Sequence, residues 1–246
     1  MFMRTTRLYL NQSLAVGQTI DLDERAHRHV VQVLRLRPGA ELVLFNGQGG
    51  EYRASLSEAQ KRHSSVTLTG FDPATTRPRL NVTLVQGISK GDRMDYSLQK
   101  ATELGVSRIQ PVLTQRSQTP GDPRRLENRM EHWRGVVISA CEQCGRNELP
   151  ELGSVMSFQE WLGSPPDHGL GLVLDPRADT GLPGLAPPEG AVSLLIGPEG
   201  GLDETEIQAA RHRGFTPVRL GPRILRTETA GVAALAVIQG IWGDLR

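Results

Sequence analysis

Only two cysteines, Cys141 and Cys144, occur in 246 residues. So few, so close together, cannot build a disulfide scaffold, and a reducing compartment fits. Lysine is nearly missing too. Lys61, Lys90 and Lys100 are the whole set, so arginine supplies the rest of the 28 basic residues. Base composition accounts for that bias without any function, although the guanidinium also suits phosphates and base edges. Net charge is small as well. At +1 it announces no polyanionic partner through a global field, yet a local basic stripe would still serve one. Splitting near residue 75 sets 9 Lys/Arg against 7 Asp/Glu before it and 19 against 20 after it, an asymmetry too small to decide anything.

Long hydrophobic runs are absent. The longest, residues 230–242, is interrupted by Gln239 and is too short to span a bilayer, so it reads as a buried helix. Residues 1–10 carry Arg4 and Arg7 but no continuous apolar stretch, which excludes a signal peptide there. The expected location is the cytoplasm. No internal repeat is visible, and 38% hydrophobic with 22% charged residues is ordinary for a globular chain.

What is present falls into two patterns. Residues 7–10, 18–22, 41–45, 52–57 and 65–71 read as short strands, several with period-two alternation. Asn46-Gly47-Gln48-Gly49-Gly50 between two of them signals a hairpin. One helix interrupts the strands, with Asp23 as cap, Ala26, Val30, Val33 and Leu34 as its apolar stripe, and Pro38-Gly39 as its stop. Five short strands and one helix predict a small β-barrel over residues 1–72. Residues 73–78, rich in turn formers, predict a linker.

From residue 79 onward, buried-type strands alternate with helices. Strands are expected at 80–88, 109–113, 169–174, 192–196 and 217–220, with Pro111 weakening the second. Asp92 is a plausible cap for a helix burying Met94, Leu98, Ala101 and Leu104 and ending at Gly105. A long helix should run from Pro123 to about Cys144, burying Leu126, Met130, Trp133 and Val137. Further helices are expected near 203–213 and 228–242, and residues 182–190 read as a surface loop. The pattern is α/β, with a mostly parallel sheet covered by helices.

Two stretches carry chemistry. In Ile196-Gly197-Pro198-Glu199-Gly200-Gly201-Leu202-Asp203 an apolar strand runs into a glycine-rich turn, and a helix opens at Asp203. Ligands of open α/β sheets bind at such strand ends. The stretch is neither a P-loop nor a dinucleotide fingerprint, since it lacks the residues that each requires. The second stretch is Leu220-Gly221-Pro222-Arg223-Ile224-Leu225-Arg226-Thr227-Glu228-Thr229-Ala230. It places Arg223, Arg226 and Glu228 at another strand-to-helix junction, capped by Thr227 or Thr229. Either stretch alone is a tight turn; two after successive strands point to a small-molecule pocket.

Cys141-x-x-Cys144 carries less. A structural zinc site wants four ligands, and no second cysteine pair exists. A redox pair would sit at a helix start, whereas this one falls at a helix end. Weight shifts to the neighbouring Glu142, Gln143, Arg146 and Asn147. On the early helix, His27, Arg28, His29 and Arg35 could join Arg4 and Arg7 in a stripe that contacts RNA, or simply form a polar face.

The two loops together resemble those of the SPOUT methyltransferases, and within them the family of ribosomal small-subunit methyltransferase E. Agreement extends to residues 4–10, to 27–35 with Val-Leu-Arg, to 90–106 with Gln-Lys-Ala-Thr-Glu-Leu-Gly-Val, and to 140–147 with Glu-Gln-Cys-Gly-Arg-Asn. That resemblance implies a PUA-like RNA-binding barrel followed by a SPOUT domain with a trefoil knot, a rare exception to unknotted topology. It also implies a homodimer and methylation of N3 of one uridine in the decoding region of 16S ribosomal RNA. The implied methyl donor is S-adenosylmethionine. Its implied pocket comprises Leu174, Ile196, Gly197, Glu199, Gly200, Leu220, Gly221, Ile224, Leu225, Arg226, Thr229 and Ala230. For the chemistry, Arg226 and Lys100 are candidates for stabilising a uridinate, and Glu199, Glu142 and Glu228 for positioning or proton acceptance. No single base is singled out. The implied RNA-facing set is Arg4, Arg7, His27, Arg35, Arg116, Gln143 and Arg146. No metal is implied.

Overall fold

The computed structural model describes residues 5–117, 122–164 and 169–245, and Arg4 therefore lies outside the described residues. The chain divides into two compact units. Met1–Arg77 forms the first together with Cys141–Leu149; Pro78–Ala140 and Pro150–Arg246 form the second. The return of residues 141–149 to the first unit is not visible in a chain cut at 72 and 79.

In the first unit five strands make one sheet: β1 (Thr6–Tyr9), β2 (Thr19–Asp21), β3 (Glu41–Phe45), β4 (Glu51–Ala59) and β5 (Ser64–Asp72), in the order β1-β3-β4-β5-β2. Only the β1–β3 pair is parallel. The glycine-rich hairpin forms as expected, with Leu44 opposite Tyr52. Gly50 (φ 71°) is required there, because a Cβ on it would lie 2.6 Å from the Phe71 ring. Leu8, Leu42, Leu44, Leu56, Val66 and Leu68 fill the core beneath Ala26 and Val30.

Helix α1 (Glu24–His27) starts where Asp23 accepts the Ala26 amide at 2.7 Å. It runs on as a π-turn over Arg28–Val33, with Leu34 N donating to His29 O. That wider winding corrects the expected stripe. Val33 and Leu34 rotate off the buried line and are exposed, whereas Ala26 and Val30 stay fully buried. Arg35 ends the turn in the left-handed region (φ 53°), and Leu36 N reaches back to Val30 O.

The second unit has a parallel sheet of β6 (Val82–Gly87), β7 (Arg108–Leu113), β8 (Glu151–Leu152), β10 (Gly169–Leu174), β11 (Ala191–Ile196) and β12 (Thr216–Val218). Their order is β12-β10-β11-β6-β7-β8, with β9 (Met156–Ser157) also beside β7. Pro111 sits inside β7 at no cost to pairing. Ile109 and Leu113 face the β8/β9 side, so Pro111 does too, and its missing N–H meets the gap between those short strands. Gln110 Nε2 bridges that gap to Ser154 O at 2.8 Å.

Helices α2 (Asp92–Glu103), α3 (Pro123–Cys144) and α6 (Thr227–Ile241) cover one face over Leu84, Leu98, Trp133, Leu194 and Leu235. Helices α4 (Phe158–Gly163) and α5 (Glu204–His212) cover the other over Val85, Phe158, Val173 and Leu195. Three expectations change. Gly91 (φ 47°), not Asp92, precedes α2; Arg226, without a side-chain bond, precedes α6 in place of Thr227 or Thr229; and Leu182 is fully buried within the stretch read as a surface loop. Because β12, β10 and β11 are adjacent and parallel, their carboxyl ends open side by side. Among the described residues no helix is long and apolar enough to cross a membrane.

Buried Asn147 holds 141–149 in the first unit. Its Oδ1 accepts from Thr76 N and Oγ1, and its Nδ2 donates to Ala74 O at 2.7 Å. Asn147→Ala leaves these groups unpaired and should lower stability by about 1–3 kcal/mol in a denaturant titration.

Candidate active site

The loop after β11 is pinned at nearly every residue. Gly197 O accepts from Thr227 Oγ1 at 2.6 Å, and buried Gln86 donates to the same hydroxyl at 3.1 Å. Pro198 lies against Gly87, where an added Cβ would come within 2.7 Å of its ring. Gly201 N closes a turn onto Pro198 O. Arg116 Nη1 holds Gly200 O at 2.8 Å and its Nη2 reaches Asp203. Asp203 and Glu206 complete a capping box that starts α5.

Glu199 is bound into this frame. Its Oε1 accepts from Lys90 N at 2.9 Å and from Arg93 Nη1 at 3.0 Å. Partial burial acts to raise its carboxyl, but the Lys90 amide, its own amide and Arg93 outweigh that and hold it below the usual carboxylate range. Glu199 therefore stays ionised near neutrality and is a poor proton acceptor.

The loop before α6 is built differently. Gly221 takes φ 70°, and Ile224 is 85% exposed. Arg223 and Arg226 form no ion pair or hydrogen bond through their side chains among the described residues. Between the two loops and the end of β10 lies a cleft of about 490 Å³. Leu174, Ile196, Val218, Leu220 and Leu225 supply apolar walls, and Arg93, Arg219, Arg223 and Arg226 line it as cations. Glu228 also lines it, with Oε2 buried and lacking a hydrogen-bond partner among the described residues. A flat apolar ring, a cationic centre beside Glu228 and an anion beside the arginines are the groups this arrangement accepts.

Of the residues proposed from sequence for the cofactor pocket, Leu174, Ile196, Gly197, Glu199, Gly200, Leu220, Gly221, Ile224, Leu225, Arg226 and Ala230 line this cleft. Thr229 is exposed and lines no part of it. Lys100 is spent on Glu103, at 2.8 and 2.9 Å, and also lies outside the lining. Glu142 belongs to the first unit, where it accepts Tyr9 N at 2.9 Å and pairs with Arg25 at 3.0 Å. Sequence reasoning missed Asp175, Arg93 and Thr227 in the lining. Asp175 follows a strand directly, which was the available signal.

Several RNA candidates are internal. Arg7 pairs with Glu51, donates to Arg146 O and stacks on Phe45. His27 is 7% exposed, with Nδ1 2.9 Å from Ser64 Oγ, and Arg146 is also 7% exposed. Side chains turned inward and bonded within the protein in this way are not presented to a phosphate. Arg35, Arg116 and Gln143 remain exposed. Cys141 is fully buried, and that burial, against the opposing charge of Arg146, pushes its thiol up to about 12. It stays protonated near neutrality and supplies no thiolate. Among the described residues no cluster of His, Cys, Asp and Glu could hold a metal ion.

The parallel sheet with its two ligand-type loops and the small mixed sheet coincide with two family models, which make the chain an RNA methyltransferase with a PUA domain. The family model of the RNA methyltransferase domain matches residues 76–239, and that of the RNA methyltransferase PUA domain matches 22–69. Ribosomal RNA small subunit methyltransferase E of Buchnera aphidicola subsp. Schizaphis graminum is 32% identical over 245 residues, covering 100% of both chains. The crystal structure of that enzyme from Neisseria gonorrhoeae, bound to S-adenosylmethionine, superimposes with TM-score 0.91 at 41% identity, covering 99% of this chain and 100% of the other. A Legionella pneumophila structure in complex with the same cofactor gives TM-score 0.95 at 38% identity, with 99% and 100% coverage. The chain belongs to the family of ribosomal RNA small subunit methyltransferase E.

Two predictions follow from the pinned loop. In Gly197→Ala the new Cβ would lie 2.6 Å from Leu202 N, so the loop must shift; cofactor affinity measured by calorimetry should fall at least about tenfold, or 1.4 kcal/mol. The Glu199 contribution has an acid limb. Its folded pKa is depressed, so the stabilisation is complete above the ordinary glutamate value and is lost as pH falls through the folded one. Melting temperature followed downward from about pH 5 should therefore drop more steeply in the wild type than in Glu199→Gln.

Proposed function

We propose that this chain methylates N3 of one uridine in the decoding region of 16S ribosomal RNA, with S-adenosylmethionine as methyl donor. The observation that carries the reading is the two-loop cleft, with its unpartnered buried Glu228 oxygen, in a chain alike end to end with the enzymes of its family.

The residues fit the donor. Leu174, Ile196, Val218, Leu220 and Leu225 would flank its adenine ring, with Gly197, Gly200, Gly221 and Ala230 letting the backbone approach its edge. Glu228 would face its positive centre. When bound, S-adenosylmethionine supplies an electrophilic methyl group. The protein's share is placement and electrostatics. Uracil N3–H is weakly acidic, and an unpaired cation at the cleft favours loss of its proton to water by stabilising the resulting anion. Arg226 is the residue we assign to that task. Glu199, ionised and held by Lys90 and Arg93, keeps the loop in shape rather than accepting the proton. Lys100 and Glu142, tied to Glu103 and to Tyr9 and Arg25, act in the framework.

The remaining expectations belong to the same reading. The first unit would bind RNA through exposed groups such as Arg35, Arg37 and Gln143. Ile224, 85% exposed beside the cleft, suits cover by a second copy in a homodimer. The loops gathered around the cleft would form the trefoil knot, and the enzyme would work in the cytoplasm on the small subunit or its RNA.

Purified protein should methylate 16S RNA, naked or in small subunits, and nucleoside mass spectrometry of the product should find N3-methyluridine. Arg226→Ala should keep its melting temperature and lose methyl transfer by about 10²-fold or more. A methyl group on another atom would refute the substrate assignment, and near-normal turnover would remove Arg226 from the mechanism.

A further inference from the structure

A second cavity, of about 300 Å³, opens at the other end of the parallel sheet. Its floor follows from strand register. Gly171 pairs with Ser193, Ser193 with Thr83, and Thr83 with Arg108, so one row crosses β10, β11, β6 and β7. All four residues lie near the amino-terminal ends of their strands, whereas the cofactor cleft occupies the carboxyl ends. By the two-residue alternation of strands they share a face with Val173, Leu195 and Val85, which pack under α4 and α5. Parallel strands are ordinarily apolar on both faces. Here a glycine, two hydroxyls and a guanidinium occupy successive positions of a face that is otherwise core.

The walls are aromatic. Phe215 rests on Gly171, where an added Cβ would lie 3.0 Å from its ring, and Trp161 packs edge-on against Phe215 with centroids 5.4 Å apart. Phe215 is buried, but Trp161 is only half-buried and keeps surface towards the cavity. At the rim stand Arg108 and Arg213. Arg213 is exposed and commits Nη2 to Ser164 O at 3.2 Å; Arg108 reaches Gln110 at 3.2 Å and, more loosely, Glu151 at 3.7 Å. Among the described lining residues there is no carboxylate. Two cations, an aromatic wall and a hydroxyl floor select a flat ring that carries an anion and hydrogen-bonding edges.

We propose that this cavity is a binding site for a nucleoside monophosphate unit, its base against Trp161, its edge towards Ser193, and its phosphate on Arg213 and Arg108. The unit is either a free mononucleotide or one nucleotide of a single strand. The site is separate from the cofactor cleft and takes no part in methyl transfer.

The test titrates the full chain, saturated with S-adenosylmethionine, with uridine 5′-monophosphate in one arm and a uridine pentanucleotide in the other. At least one should bind, and Arg213→Glu and Arg108→Glu should each weaken it tenfold or more while leaving the melting temperature unchanged. Binding of the mononucleotide alone identifies a free nucleotide as occupant, and binding of the pentanucleotide at least tenfold tighter identifies a strand. No binding of either in the millimolar range, or wild-type affinity in both variants, would overturn the proposal.

Discussion

Among the described residues one part-buried hydrogen bond, from the Thr227 hydroxyl to the Gly197 carbonyl at 2.6 Å, joins the two loops of the cleft. It links the end of β11 to the first turn of α6, thirty residues on. Gln86, fully buried on the neighbouring strand, supports it from beneath by donating to the same hydroxyl. A partly buried bond of this kind is worth more than a fully exposed one, because less water is at hand to replace it when it breaks. The apolar walls contributed by β10, β11 and β12 bound one cleft only while the loops stay together.

The two loops divide the work unequally. The first is held by Thr227, Lys90, Arg93 and Arg116 and is shaped before any ligand arrives, so little ordering entropy remains to be lost on binding. The second presents Arg223, Ile224 and Arg226 outward with their side chains uncommitted. A fixed wall suits a cofactor whose reactive carbon must be placed accurately. An open rim of arginines suits a polyanionic substrate that arrives from solution.

Much of this was legible in the sequence where the signal is local. Gly-Pro-Glu-Gly-Gly and Gly-Pro-Arg-Ile-Leu-Arg report their own turns, because glycine and proline dictate backbone conformation wherever they stand. The strands from Glu41 to Phe45 and from Gly169 to Leu174, and the long helix from Pro123 to Cys144, follow from periodicity alone. What stayed hidden depends on partners distant in sequence. Arg7, His27 and Arg146 look like an RNA stripe until the fold pairs Arg7 with Glu51 and buries the other two, and Glu142 looks catalytic until Tyr9 and Arg25 claim its carboxylate. Lys100 is neutralised by Glu103, only three residues away, yet spacing alone does not say whether such a pair forms. The π-turn after His27 and the polar row Gly171, Ser193, Thr83 and Arg108 were equally invisible. The first is a change of winding and the second a matter of register between strands, and neither leaves a contiguous motif.

Amide hydrogen exchange with and without S-adenosylmethionine tests most directly whether the tied loops act as one cradle. Residues 197–203 and 220–227 should gain protection together and over the same range of cofactor concentration. Protection confined to one segment, or to neither, would contradict the account.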